Sequence, residues 1–174
     1  MPPGQPPRPL ITAEAIASRV AALGQEVARA IPEGPLTVVG ILRGAFVFMA
    51  DLVRAIPRDL KVDFLGVRSY GDATLSSGIV EITSDLVLPV EGEHVLLVED
   101  IVDTGLTLRY LMNILETRQP RSLHVCALLS KPSRRRVEVP VHFTGFEVPD
   151  QFVVGYGLDA AQRHRQLPYI GVVD

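Results

Sequence analysis

The stretch Val95-Leu96-Leu97-Val98-Glu99-Asp100-Ile101-Val102-Asp103-Thr104-Gly105-Leu106-Thr107 decides the fold class of this chain. His94 to Val98 is a short apolar run, as expected of a strand covered on both faces. A polar turn, Glu99 to Thr107, follows it: two adjacent carboxylates, a third carboxylate, a hydroxyl, a glycine and a second hydroxyl. Leu108, Leu111, Met112 and Leu115 then recur at helical spacing, and the helix ends before Pro120. A buried strand that turns directly into a helix is the repeating unit of an α/β protein.

The same unit recurs on either side. Upstream, the apolar run Leu36 to Leu42 reads as a second buried strand, and Gly44 leads into a helix from Ala45 to Ile56. Before it, Thr12 caps a helix through Ile16, Val20, Leu23 and Val27, which Ile31-Pro32-Glu33-Gly34-Pro35 stops. Residues 1–9 are proline-rich and read as an irregular arm. Lys61 to Tyr70 is a strand, Gly71 to Gly78 a small, polar and mobile loop, and Ile79 to Ile82 an antiparallel return. Leu123 to Leu129 is another apolar strand, followed by the basic loop Lys131 to Arg136. Shorter extended segments are expected at Val139–Phe143, Phe152–Val154 and Tyr169–Val173. The alternation predicts a mostly parallel, twisted sheet flanked by helices. Sites in such sheets lie beyond the carboxyl ends of the strands, here after Leu42, Val98 and Leu129.

Composition narrows the function classes. The 174 residues, 47% hydrophobic, suffice for one domain with one core. A net charge of -3 provides no overall field to gather nucleic acid. Cys126 is the single cysteine, so the chain forms neither an intramolecular disulfide nor a cysteine-rich zinc site. No segment reads as a signal peptide or a membrane span, which leads us to expect a cytoplasmic protein without a membrane partner.

Two chemical readings of the acidic turn compete. It is either a solvated turn with ordinary capping residues, or a site where helix-start amides receive a phosphate. In the second reading Gly105 permits close backbone approach, and Thr104 and Thr107 donate hydroxyl hydrogen bonds. Carboxylates beside an anion site suit a sugar phosphate, with acid groups on its hydroxyls or on a bridging Mg²⁺. Leu42-Arg43-Gly44 likewise either ends a strand with a surface arginine or holds an oxyanion on a tight turn. Phe152-Val153-Val154-Gly155 is either a core strand or an aromatic face with exposed peptide edges for a flat heterocycle.

The motif at Glu99–Thr107 closely resembles the phosphoribosyl pyrophosphate signature of the type I phosphoribosyltransferases. With the other motifs in order, from about Ile11 to Val173, the chain resembles the hypoxanthine-guanine branch of that family. The resemblance implies a type I phosphoribosyltransferase fold, with residues 1–174 as a single domain and a small hood built from the terminal segments. It implies purine salvage: Mg²⁺-dependent transfer of a 5-phosphoribosyl group to hypoxanthine or guanine, giving IMP or GMP and pyrophosphate. Glu99 and Asp100 would face the ribose hydroxyls and order magnesium, and Asp159 would reach a second magnesium ion. Asp103 would be the catalytic acid/base near purine N7, and Asp103, Thr104, Gly105, Leu106 and Thr107 would wrap the 5′-phosphate.

The resemblance also places a non-proline cis peptide between Leu42 and Arg43 and assigns Leu42, Arg43, Gly44, Ser69, Tyr70 and Arg165 to pyrophosphate. Lys131 would donate to the purine O6, where adenine offers an amino group instead, while Phe152 would stack on the base and Val153 would bind its edge through the backbone. A homodimer or homotetramer is implied. Leu106 stands where lysine or asparagine is frequent, and Ala160 where tyrosine is frequent. Two rivals remain: the same fold acting on another base, and a regulatory protein that binds nucleic acid through Arg134, Arg135 and Arg136.

Overall fold

Thr12 opens the first helix as the sequence suggests, its hydroxyl accepting a hydrogen bond from the Ala15 amide at 3.2 Å. The computed structural model describes residues 6–70 and 79–173. Helix α1 (Ala13–Ala30) leads to β2 (Leu36–Leu42), α2 (Phe46–Ala55) and β3 (Lys61–Tyr70); β1 (Arg8–Ile11) precedes them. The chain continues through β4 (Ile79–Ser84), β5 (His94–Val102), α3 (Leu106–Glu116) and β6 (Ser122–Ser130), with one 3-10 turn at Pro132–Arg134. It closes with β7 (Phe143–Glu147), β8 (Val153–Val154) and β9 (Ile170–Val172). The predicted loop Gly71–Gly78 lies outside the described residues.

The main sheet has the order β4-β3-β2-β5-β6-β7 and is parallel except where β4 returns along β3. Its central strands are largely apolar because each face is covered. Val38, Leu96, Val98 and Leu128 pack with Ile16, Val20 and Leu23 of α1 and Phe48, Met49 and Leu52 of α2. Val39, Ile41, Val95, Leu97 and Val125 pack on the opposite face with Leu108, Leu111, Met112 and Leu115 of α3. Each fully buried aliphatic side chain contributes about 1.5–3 kcal/mol relative to exposure. A Cβ at Gly40 would strike the Met49 sulfur, so that glycine lets α2 lie close against β2. Among the described residues no helix is long and apolar enough to cross a membrane.

Three expectations are corrected. Arg8 and Pro9, predicted as part of an irregular arm, form β1 and pair antiparallel with Val172 and Gly171. The partner lies at the far end of the chain, and a proline, which lacks an amide donor, is tolerated on such a terminal strand. The strand expected to end at Val98 runs on to Val102, because Glu99, Ile101 and Val102 pair in register with Ala127, Leu129 and Ser130 of β6. The acidic pair therefore stands on rigid sheet. The segment expected at Val139–Phe143 becomes a strand only from Phe143, where Cys126 and Ala127 provide its partners. Strands β1, β9 and β8 form a separate three-stranded sheet.

Candidate active site

Strand alternation sends Glu99 and Asp100 to opposite faces of β5, yet both line one cavity at its carboxyl end, with Arg43, Gly44, Thr107, Asp159 and Arg165. Glu99 is only 6% exposed, and neither carboxylate makes an ion pair with a described residue. Burial, and then the neighbouring Asp100, push the Glu99 carboxyl well above the usual range. Burial pushes Asp100 up to about 6, against amide hydrogen bonds and the Arg165 charge, which favour ionisation. Two adjacent carboxylates without an ion-pair partner among the described residues are hard oxygen donors suited to a divalent cation such as Mg²⁺. Among the described residues no cluster of three or more metal-ligating side chains occurs, so water and substrate oxygens would have to complete such a coordination shell.

Past β5 the chain turns into α3 through Gly105, which adopts φ 84° as the N-cap residue and caps with no side-chain hydrogen bond. The Leu106 amide has only a 3.4 Å contact to Thr104 Oγ1. The first-turn amides are thus directed at the loop, as an anion site requires. A side chain on Gly105 would strike the Val137 carbonyl, so the loop is packed from behind. Leu106 opens α3 directly after Gly105, so its backbone amide stands at this turn whatever its side chain.

The Leu42–Arg43 peptide is cis, as the resemblance implied. Gly44 follows it, and a Cβ there would fall on the Asp100 carboxylate. Gly157 approaches from the other side so closely that its Cβ would strike the Gly44 carbonyl. Arg165 donates to Asp159 at 2.7 Å and to the Gly157 carbonyl at 2.7 Å. Sequence reasoning missed Gln162, whose Oε1 accepts from both Arg43 Nη1 and Arg165 Nη2 at 3.1 Å, holding the two cations on one side of the cavity. No local pattern marks that glutamine, since the arginine on β2's end lies far away in sequence. Ser69 and Tyr70 pair with Val80 and Ile79 through the backbone, and their side chains lie outside the described residues.

A neighbouring cavity of about 370 Å³ is lined by Asp103, Lys131, Arg134, Asp150, Phe152 and Val153, among others. Its size suits a small heterocycle. Phe152 is 53% exposed, so it is not the core residue that its apolar neighbours suggested. Val153 is buried on β8. Lys131 is buried as well, and its ammonium donates to the Gln151 carbonyl at 2.8 Å with Asp150 3.7 Å away. The basic triplet is largely turned inward: Arg134 pairs with Asp103 and Asp150, and Arg135 donates to Ser130. Arg136 is the exposed member. Sequence reasoning gave Arg134 only a place in the basic loop, as a contact of the nucleic-acid-binding rival, because adjacency in sequence hides which loops it joins.

Fold and site together define a sheet-end architecture of the α/β enzyme class: a glycine helix start beside an acidic pair, and a neighbouring cavity lined by Lys131, Phe152 and Val153. The chain belongs to the phosphoribosyltransferase family, whose domain model matches residues 10–161, and within it to the hypoxanthine-guanine branch. It is 51% identical to the hypoxanthine phosphoribosyltransferase of Haemophilus influenzae, covering 94% of this chain and 93% of that protein. The hypoxanthine-guanine phosphoribosyltransferase of Mycobacterium avium is 47% identical over 99% of this chain and 88% of its own. The crystal structure of a hypoxanthine-guanine phosphoribosyltransferase from Bacillus anthracis superposes with a TM-score of 0.91 at 39% identity, covering 95% of this chain and 98% of that one.

Proposed function

We propose that this protein transfers the 5-phosphoribosyl group of phosphoribosyl pyrophosphate to hypoxanthine or guanine, giving IMP or GMP and pyrophosphate. The observation that carries this reading is the pairing of a buried ammonium, Lys131, with an exposed aromatic face, Phe152, in a cavity beside the anion loop. An ammonium in that position donates to a 6-oxo group and meets a donor conflict with a 6-amino group. Phe152 stacks on the ring, and the Val153 backbone reads its edge.

The amides of residues 103–107 bind the 5′-phosphate, with Thr104 and Thr107 adding hydroxyls. Glu99 and Asp100 hold the ribose hydroxyls and orient the sugar. Leu42, Arg43, Gly44 and Arg165 bind the pyrophosphate, with Ser69 and Tyr70 assigned to its other side. Positive charge develops on the ribose ring as the bond to pyrophosphate breaks, and the fixed cations Arg43 and Arg165 favour the departing anion. Asp103 manages the proton of the purine imidazole edge. Glu99, Asp100 and Asp159 are the residues that would hold Mg²⁺. When bound, the ion neutralises pyrophosphate charge and orients its oxygens.

A steady-state assay with phosphoribosyl pyrophosphate and Mg²⁺, offering hypoxanthine, guanine, xanthine and adenine separately, tests the reading. Turnover of the first two with little adenine turnover supports it. Preferred use of adenine would overturn the role of Lys131, and tight nucleotide binding without turnover of any base would favour the regulatory alternative.

A further inference from the structure

One guanidinium joins three loops at the mouth of the base cavity. Arg134, on the turn after β6, donates from Nε to Asp103 Oδ1 at 2.8 Å. Its Nη1 reaches Asp150 Oδ1 at 3.3 Å and Oδ2 at 3.2 Å. Asp103 follows β5, and Asp150 lies between β7 and β8, one residue before the Gln151 carbonyl that anchors Lys131 and two before Phe152. The side chains of Arg134, Asp103 and Asp150 are 31%, 39% and 51% exposed. Pairs this exposed contribute little to stability, so folding gives no strong reason for the arrangement. All three residues line the cavity assigned to the purine.

The geometry divides the Asp103 carboxylate. Oδ1 is held by Arg134, whereas Oδ2 makes no hydrogen bond to a described residue. A guanidinium fork is planar and presents its donors in fixed directions, so it fixes both the rotation of the carboxylate and its spacing from Asp150. An ammonium on a flexible stem cannot hold two carboxylates in that way.

We infer that Arg134 is a positioning residue for the transfer: it holds Asp103 by Oδ1, turns Oδ2 toward the imidazole edge of the base, and ties this proton acceptor to the segment carrying Asp150, Gln151 and Phe152. This rests on the reading of Asp103 as the proton-handling group. In the step it serves, the purine nitrogen–C1 bond forms, the C1–oxygen bond to pyrophosphate breaks, and the purine proton passes to Asp103 Oδ2. Arg134 donates no proton and touches no reacting atom. A small rotation of the acceptor lowers the rate of such a transfer with little change in the binding of the sugar phosphate.

The test is a double-mutant cycle in the full chain, using hypoxanthine and phosphoribosyl pyrophosphate. Arg134→Met keeps the apolar stem and removes the fork. The expected result is a loss of roughly 10-fold to 100-fold in kcat, with KM for phosphoribosyl pyrophosphate changed by less than about twofold. In an Asp103→Asn background the same substitution should cost less than about threefold, because its effect runs through Asp103. Arg134→Lys, which retains charge without the planar fork, should also lose kcat and takes the place of the methionine variant in the cycle if that variant does not fold. Equal losses in both backgrounds, or unchanged kcat in the single variants, would overturn the inference. If wild type turns over and Asp103→Asn does so equally well, the role of Asp103 falls and Arg134 with it; an inactive wild type instead refutes the proposed function itself.

Discussion

Replacing Lys131 by methionine separates base recognition from stability. The side chain is 9% exposed, and its ammonium makes a 2.8 Å hydrogen bond to the Gln151 carbonyl. Methionine preserves the unbranched stem and removes only the charge and its donors. A hydrogen bond from a charged group to the purine O6 is worth about 1.5–3 kcal/mol, so kcat/KM for hypoxanthine should fall about 10-fold to 150-fold. Adenine loses nothing by the change, since its 6-amino group gained no acceptor from the ammonium and is relieved of a competing donor. The hypoxanthine-to-adenine ratio of kcat/KM should therefore fall by at least about tenfold. Stability should fall by about 1–3 kcal/mol, because the part-buried hydrogen bond from the charged ammonium to the Gln151 carbonyl is lost. That corresponds to a melting point lower by about 2–12 °C for a chain of this size. Steady-state kinetics on both bases at 25 °C, alongside thermal unfolding, measure the two effects separately. A ratio unchanged within twofold, in a variant that melts cooperatively, would refute the assignment of Lys131 to the 6-oxo group.

Gly44→Ala places a Cβ on the Asp100 carboxylate and must displace one or the other; kcat/KM should drop by about 100-fold or more, with stability reduced by about 1–3 kcal/mol, read by kinetics and urea unfolding. Glu99 has a raised carboxyl pKa through burial, so its favourable contribution is present below the unfolded value and is lost as pH rises. Glu99→Gln should therefore melt higher than wild type in chelator at pH 8, with the advantage gone by about pH 4, while activity is lost. At the opposite end of the sheet, burial lowers the pKa of His124 and His142, whose rings lie 4.9 Å apart. The unfolded chain then binds more protons below about pH 6.5, so the free energy of unfolding should decrease as pH falls from about 6.5 to 5. His124→Gln/His142→Gln should flatten that slope relative to wild type in urea titrations at matched pH; an identical slope would sink the argument.

Much of the architecture is legible in single segments. Leu36–Leu42 is apolar at every position but Thr37 because both faces of β2 are covered, and the observed strand has the same bounds. Helices α1 and α3 follow their apolar spacing, and Thr12 caps the first of them. The misplaced elements are those whose partners lie far away. Arg8 and Pro9 have no local strand pattern and become β1 only against β9. Glu99 and Asp100 look like turn residues on polarity alone, yet β6 extends the ladder past them, with Glu99 buried and Asp100 half-buried. That difference changes the chemistry, since a solvated turn would not have pushed Asp100 up to about 6.

Local order in the chain was sufficient to establish the alternating strands and helices, the acidic pair followed by a glycine helix start, and the motifs that resemble the family. These depend on hydrophobic period, glycine freedom and the spacing of charges within a few residues, all of which are written along the chain. Tertiary structure alone decided which charges meet. It set Gly44 against Asp100, joined Arg43 to Arg165 through Gln162, and made Arg134 of the basic loop a link between Asp103 and Asp150. Such contacts join loops from different strand ends, and their strength depends on distance, direction and burial, which exist only once the sheet has brought those ends together.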